Sequence, residues 1–284
     1  MRSLAFPGRS GTLDQTQVQT LISVIFFPPG FPAPFLYTQE RIFMSSLCIF
    51  PDPDALADAI ALRFRKESKQ AARENRLYSI VLSGGNTANK VYRRFGLSKF
   101  GNEIPWESVH VFWTDERCVS PESVESNFRT AQQAFLNTVV IPDENIHRIK
   151  GEEDPVKEAD RYAFEIQNHH ILKKNSTYCF DWVLMGLGLD GHTASIFPGK
   201  ENFLSTPKLC GVSQHPQTSQ KRITLTASAL QNAACITYHV IGSDKAGIVS
   251  ELVSKSPESK KFPVAYIPGE WYLDQAAASN LENS

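Results

Sequence analysis

The run DWVLMGLGLDGHTASIFP, Asp181 to Pro198, changes character at its midpoint. Trp182, Val183, Leu184 and Met185 form a continuous apolar segment, as in a strand buried on both faces. Three glycines follow within six residues, Gly186, Gly188 and Gly191, and the segment then delivers Asp190 and His192. In open α/β sheets ligands bind beyond the carboxyl ends of the strands. A buried strand that ends in pliable backbone with a carboxylate and an imidazole is therefore a candidate reaction centre.

Other turns of the same kind lie outward from this run. Leu77–Leu82 (LYSIVL) is a short apolar strand that ends in Ser83-Gly84-Gly85-Asn86-Thr87, with a helix expected from Ala88. Strand, glycine turn and helix together point backbone N–H groups at an anion. Val109–Trp113 (VHVFW) is the next strand, ending in Thr114-Asp115-Glu116-Arg117. Two acids and an arginine there suit a ligand, although a solvated loop with a local ion pair is the commoner outcome. Arg222–Thr226 (RITLT) and Cys235–Ile241 read as strands, and Gly242-Ser243-Asp244-Lys245 opens a helix through Leu252. A lysine in the first turn of a helix opposes the dipole, an objection that a bound anion removes.

The remaining segments supply the frame. A helix is expected from Asp52 or Asp54 to Arg76, another from Ser126 to Asn137, and a third from Pro155 to Leu172. His169 and His170 near the end of the third suit the dipole, and adjacent residues on a helix face apart, so neither is given a metal role. Ile141–Asp154 is turn-rich, with His147 and Arg148 expected at the surface. Val264–Ile267 reads as a strand, and Trp271–Asp274 leads into an alanine-rich helix. Strands alternating with helices predict one α/β domain, a three-layer Rossmann-like arrangement around a largely parallel sheet.

The chain has 284 residues, 42% hydrophobic and 21% charged, with a net charge of -1. That composition suits a globular domain and gives no global attraction to nucleic acid or membrane. Cys48, Cys118, Cys179, Cys210 and Cys235 lack zinc-site or redox spacing and read as free thiols of a reducing compartment. Residues 1–43 are interrupted by Pro7, Pro28, Pro29, Pro32 and Pro34, and the apolar run Leu21–Phe27 is far short of the ~20 residues of a membrane helix. The folded domain is expected over residues 44–284, with 1–43 a disordered extension or a mis-assigned start. A targeting segment is the alternative for 1–43, because Arg2 and Arg9 precede the apolar run.

Taken together, these turns resemble the 6-phosphogluconolactonases, of the superfold that also holds glucosamine-6-phosphate deaminase and ribose-5-phosphate isomerase. The resemblance spans Leu47 to Leu281. It rests on Gly186–Pro198 as the G-x-G-x-DGHTAS-x-FP signature, Asp115–Arg117 followed by Ser126-Asn127, the Ser83–Thr87 loop and Trp271 to Asp274. The usual loop reads SGGSTP, and Asn86 and Ala88 depart from it. The deaminases carry a glutamate soon after the DGH histidine and a tyrosine after the paired acids, and this chain has neither.

The resemblance implies a cytoplasmic enzyme of the oxidative pentose phosphate pathway that hydrolyses 6-phospho-D-glucono-1,5-lactone, with no metal or organic cofactor. His192 would act as base, and Asp190 would orient it or hold a substrate hydroxyl. Ser83, Gly84, Gly85, Asn86, Thr87, Arg222 and Lys245 would hold the phosphate. Arg117 would meet the oxyanion or the product carboxylate, and Asp115 the sugar hydroxyls or the fold. Oligomeric state is left open. The alternatives are a deaminase-like sugar-phosphate isomerase and a non-catalytic sugar-phosphate sensor. A dinucleotide fingerprint at Gly186-x-Gly188-x-x-Gly191 is disfavoured, because no acid lies ~20 residues on.

Overall fold

Tyr78–Leu82, Val109–Trp113 and Trp182–Met185 are buried at every residue, as strands covered on both faces must be. The computed structural model describes residues 23–26, 46–169, 173–174, 177–178 and 180–281, with backbone alone for 23–26, 173–174 and 177–178. The strands are β1 (Ser23–Phe26), β2 (Ser46–Phe50), β3 (Tyr78–Leu82), β4 (Val109–Trp113), β5 (Asp115–Arg117), β6 (Ile146–His147) and β7 (Lys173–Lys174). They continue as β8 (Thr177–Tyr178), β9 (Trp182–Met185), β10 (Cys210–Gln214), β11 (Lys221–Leu225), β12 (Cys235–Val240) and β13 (Glu270–Asp274). Eight of them form one sheet in the order β1-β2-β13-β12-β9-β3-β4-β6. Every pairing in it is parallel. A second, antiparallel sheet, β10-β11-β5, branches from the end of β4, and β7 and β8 form a hairpin.

The helices that flank the sheet are α1 (Pro53–Arg73), α2 (Asn86–Phe95), α3 (Ser98–Gly101), α4 (Asn127–Ala134), α5 (Pro155–Asn168), α6 (Asn202–Ser205), α7 (Ala227–Gln231) and α8 (Ala246–Val253). Asp52 caps α1 by accepting from the Ala55 N–H at 2.8 Å, and Pro53 follows at the first helical position. Asp154 and Pro155 repeat the device on α5. Phe64, Phe95, Trp106 and Phe135 pack ring against ring beneath α1 and α2. Asp181 fixes the start of β9, accepting from the Ser79 N–H at 2.9 Å and from Arg76 Nη1 at 2.5 Å. Cys48, Cys118, Cys210 and Cys235 are free, and Cys179 lies outside the described residues.

The structure departs from expectation in several places. Asp115–Arg117 is a strand and not a solvated loop, because it finds a ladder partner in β11. His147 is buried at 3% exposure on the edge strand β6, and Arg148 is half-buried against Glu152. The strand expected over Val264–Ile267 does not form: Pro263–Tyr266 is a 3₁₀ turn whose N–H groups bond locally, Ala265 to the Phe262 carbonyl and Ile267 to that of Val264. Glu270–Asp274 enters the sheet between β2 and β12, and turns follow it instead of a helix. Ser23–Phe26 pairs in parallel with Ser46–Ile49, so the backbone of these four residues joins the sheet. The other residues of 1–43, and His170, lie outside the described residues. Among the described residues, no helix is long and apolar enough to cross a membrane.

Candidate active site

The β9 turn is held by its own hydrogen bonds. Gly188 N–H donates to the His192 carbonyl at 2.9 Å, and Thr193 Oγ1 donates to the Gly186 carbonyl at 2.8 Å. The fold brings Asp190 and His192 together, with Asp190 Oδ1 2.5 Å from His192 Nδ1. Burial pushes the Asp190 carboxyl up, but the bond to His192 outweighs it and leaves the carboxyl below its usual range. An ionised Asp190 accepts the Nδ1 proton and leaves Nε2 as the free acceptor of the ring. Gly188 makes room for the pair, since a Cβ there would stand 2.1 Å from His192 Nδ1.

The β5 strand does different work. Asp115 Oδ2 accepts from Ser195 Oγ at 2.6 Å, and Oδ1 accepts from Thr114 Oγ1 at 3.0 Å. Asp115 therefore ties the DGHTAS turn to the end of β4. Glu116 Oε1 accepts from the Arg117 and Asn127 N–H groups, and Oε2 from the Phe128 N–H and Ser126 Oγ. It closes the N-terminus of α4. Burial raises its carboxyl pKa despite these bonds.

Arg117 and Arg222 are directly opposed across the β5–β11 ladder. Residues so placed share a face, and like charges there repel. Burial, and then Arg117, pull the Arg222 guanidinium below its usual pKa, although a guanidinium stays charged. Both Nε atoms are buried without a hydrogen-bond partner, as is Ser83 Oγ. Donors left in that state suit an anionic ligand.

Ser83 sits beside the β9 turn, since a Cβ on Gly186 would lie 3.8 Å from Ser83 Oγ. The helix expected from Ala88 begins at Asn86, with Gly85 as its N-cap at φ 101°. No side chain caps that terminus, which leaves its first N–H groups without a side-chain acceptor. Asn86 and Thr87 thus contribute first-turn backbone. A cleft of about 420 Å³ lined by Gly85, Asn86, Arg93, Arg117, Glu125 and Asn127 adjoins this loop.

Lys245 closes a 3₁₀ turn ahead of α8. Burial lowers its pKa, while the charges of Asp244 and Asp190 act in the opposite direction. Asp274 holds that turn, accepting from the Gly242 N–H at 3.1 Å.

A family profile described as glucosamine-6-phosphate isomerases/6-phosphogluconolactonase matches residues 51–273. The chain belongs to this family. The 6-phosphogluconolactonase of Haemophilus influenzae is 37% identical over 237 residues, covering 82% of this chain and 98% of its own. A crystal structure of the devB protein superposes with a TM-score of 0.78 at 38% identity, over 83% of this chain and 98% of that one. A 6-phosphogluconolactonase structure from Thermotoga maritima gives a TM-score of 0.68 at 26% identity, over 80% and 98%.

Two neighbours of this family site carry no motif of their own. Phe197 packs against His192 with ring centroids 4.8 Å apart, against His215 at 5.1 Å, and beneath the Arg222 guanidinium at 5.6 Å. Burial, with the charges of Arg222 and His192, holds the His215 imidazole below its usual pKa. His215 comes from the turn between β10 and β11, and its proximity depends on that hairpin folding back. Phe197 was legible as part of the signature, but its role as the shared floor was not.

Proposed function

We propose that the chain hydrolyses 6-phospho-D-glucono-1,5-lactone to 6-phosphogluconate, in the cytoplasm and within the oxidative pentose phosphate pathway. The observation that carries this reading is the Asp190–His192 pair beside two opposed guanidiniums with unpartnered Nε atoms. His192 Nε2 takes a proton from water as the hydroxide attacks the lactone carbonyl. Arg117 meets the developing oxyanion. Collapse of the adduct breaks the bond to the ring oxygen, which takes the proton back from His192, and the new carboxylic acid ionises. Asp190 orients the imidazole through its bond to Nδ1. Arg222, Lys245 and the Ser83–Thr87 loop hold the phosphate, which makes the attack effectively intramolecular. Asp115 and Glu116 act as positioning residues.

The test generates the lactone in situ and follows its disappearance above the spontaneous rate, with wild type and His192→Ala. Acceleration by wild type that is largely lost in the variant supports both the reaction and the base. Equal acceleration by both removes His192 as base. Binding of 6-phosphogluconate without acceleration overturns the enzyme in favour of a sensor.

A further inference from the structure

Three histidines that the proposed reaction does not use converge at the edge of the main sheet. His110 stands on β4, His147 on β6, and His169 caps the C-terminus of α5. One ring nitrogen from each lies within 4.8 Å of the other two. His110 and His147 are buried at 7% and 3% exposure, so this is an interior cluster. His110 lies near the start of β4, whereas Asp115–Arg117 follow its carboxyl end, so the cluster is separate from the Asp190–His192 pair.

The local geometry is that of a ligand set with its supporting shell. His147 Nε2 is 2.9 Å from His110 Nδ1, and His147 Nδ1 is 2.8 Å from Glu165 Oε1. Glu165 is held in turn by Arg161. A carboxylate on the far nitrogen of an imidazole fixes the tautomer that presents the near nitrogen to a metal. Tetrahedral zinc with Zn–N near 2.05 Å sets its nitrogens about 3.4 Å apart, between the 2.9 Å pair and the 4.8 Å outer limit. Phe112 stacks on His147 at 4.3 Å and lies edge-on to His169 at 5.8 Å, which gives the cluster an apolar wall.

We propose that His110, His147 and His169 bind one divalent cation of the zinc class, with Glu165 as the supporting carboxylate. Three imidazoles without thiolate suit zinc, cobalt, nickel or copper over magnesium or calcium. The ion would clip β4, the edge strand β6 and the end of α5 together, and would take no part in lactone hydrolysis.

The test uses the full chain, stripped with a chelator and dialysed. Zinc is titrated in competition with a chromophoric chelator, and cobalt is added separately to read its visible absorption. Wild type is expected to take up one equivalent and to give the absorption of a low-coordinate cobalt site. His169→Ala should lose that equivalent, and Glu165→Gln should keep it with affinity ~10–100-fold weaker. His192→Ala should bind as wild type does. Circular dichroism and retained lactone hydrolysis establish that His169→Ala and Glu165→Gln are folded. No uptake by wild type overturns the proposal, as does uptake unchanged in both His169→Ala and Glu165→Gln. Loss of the equivalent in His192→Ala also overturns it, by moving the metal to the reaction centre.

Discussion

The β9 turn and the β5 strand both set carboxylates just beyond a central strand, and they put them to opposite uses. The Asp190 side chain is 39% exposed and that of His192 27%, and the bond between them engages His192 Nδ1 and leaves Nε2 as the other ring nitrogen. Asp115 and Glu116 are 4% and 3% exposed, and every carboxylate oxygen of theirs accepts from the surrounding fold. Position at a strand end therefore offers an acid to a ligand, but the supply of internal donors decides whether it remains available. Where backbone N–H groups and hydroxyls fill a carboxylate, it holds structure. Where one imidazole is its main partner, it orients that imidazole.

The largest effect that this contrast predicts is on stability. Glu116→Ala leaves the Asn127 and Phe128 N–H groups and Ser126 Oγ without their acceptor at a buried helix start. The expected loss is about 3–5 kcal/mol in urea unfolding. Unchanged stability with collapsed kcat would move Glu116 into the chemistry and end the contrast. His192→Ala should behave conversely. Its kcat should fall ~100-fold or more, while its unfolding free energy changes by less than about 1 kcal/mol, since the ring is partly exposed. A destabilisation as large as that of Glu116→Ala would make His192 a structural residue.

The two regions also differ in how far the sequence disclosed them. The β9 turn was legible because its signature is contiguous: strand, glycines, acid and imidazole lie within Asp181–Pro198. The parallel sheet was legible for a related reason, since apolar runs alternate with capped helices. The fate of Asp115–Arg117 was not, because it depends on the ladder with Lys221–Leu225, about a hundred residues away. His147 was read as surface, His169 as a helix-end residue, and His110 was not singled out, for the same reason: β4, β6 and α5 bring them together only in the folded chain. His215 reaches the site by a hairpin whose register no local pattern specifies.

A smaller effect sharpens the contrast within the β9 turn itself. Gly188→Ala introduces a Cβ 2.1 Å from His192 Nδ1 and 2.6 Å from Asp190 Oδ1. Relief requires the pair to move apart or tilt, and a base displaced by a fraction of an ångström loses rate steeply. The expected result is a fall of about tenfold in kcat, with KM nearly unchanged because the phosphate is held by other elements. Full kcat in this variant would mean that the pair is not the working geometry.

The smallest effect is in the pH dependence of stability, and it has opposite signs in the two regions. The Asp190 carboxyl is held below its usual pKa of about 3.9, so it stabilises the fold above that pH. The contribution disappears as pH falls through the lowered value. Because Asp190 is partly exposed and solvent-screened, the difference should be only a few tenths of a kcal/mol. Glu116 is shifted upward, so its proton uptake favours the fold below about pH 4.3, and that gain is lost as pH rises through the raised value. Unfolding free energies of wild type and Asp190→Asn from pH 7 to pH 3 isolate the first contribution. Wild type should lead at neutral pH and lose its lead at the acid end. A lead that grows as the solution is acidified would show Asp190 behaving as Glu116 does, a buried acid strained by its charge, and the distinction between a presented carboxylate and a sequestered one would fail.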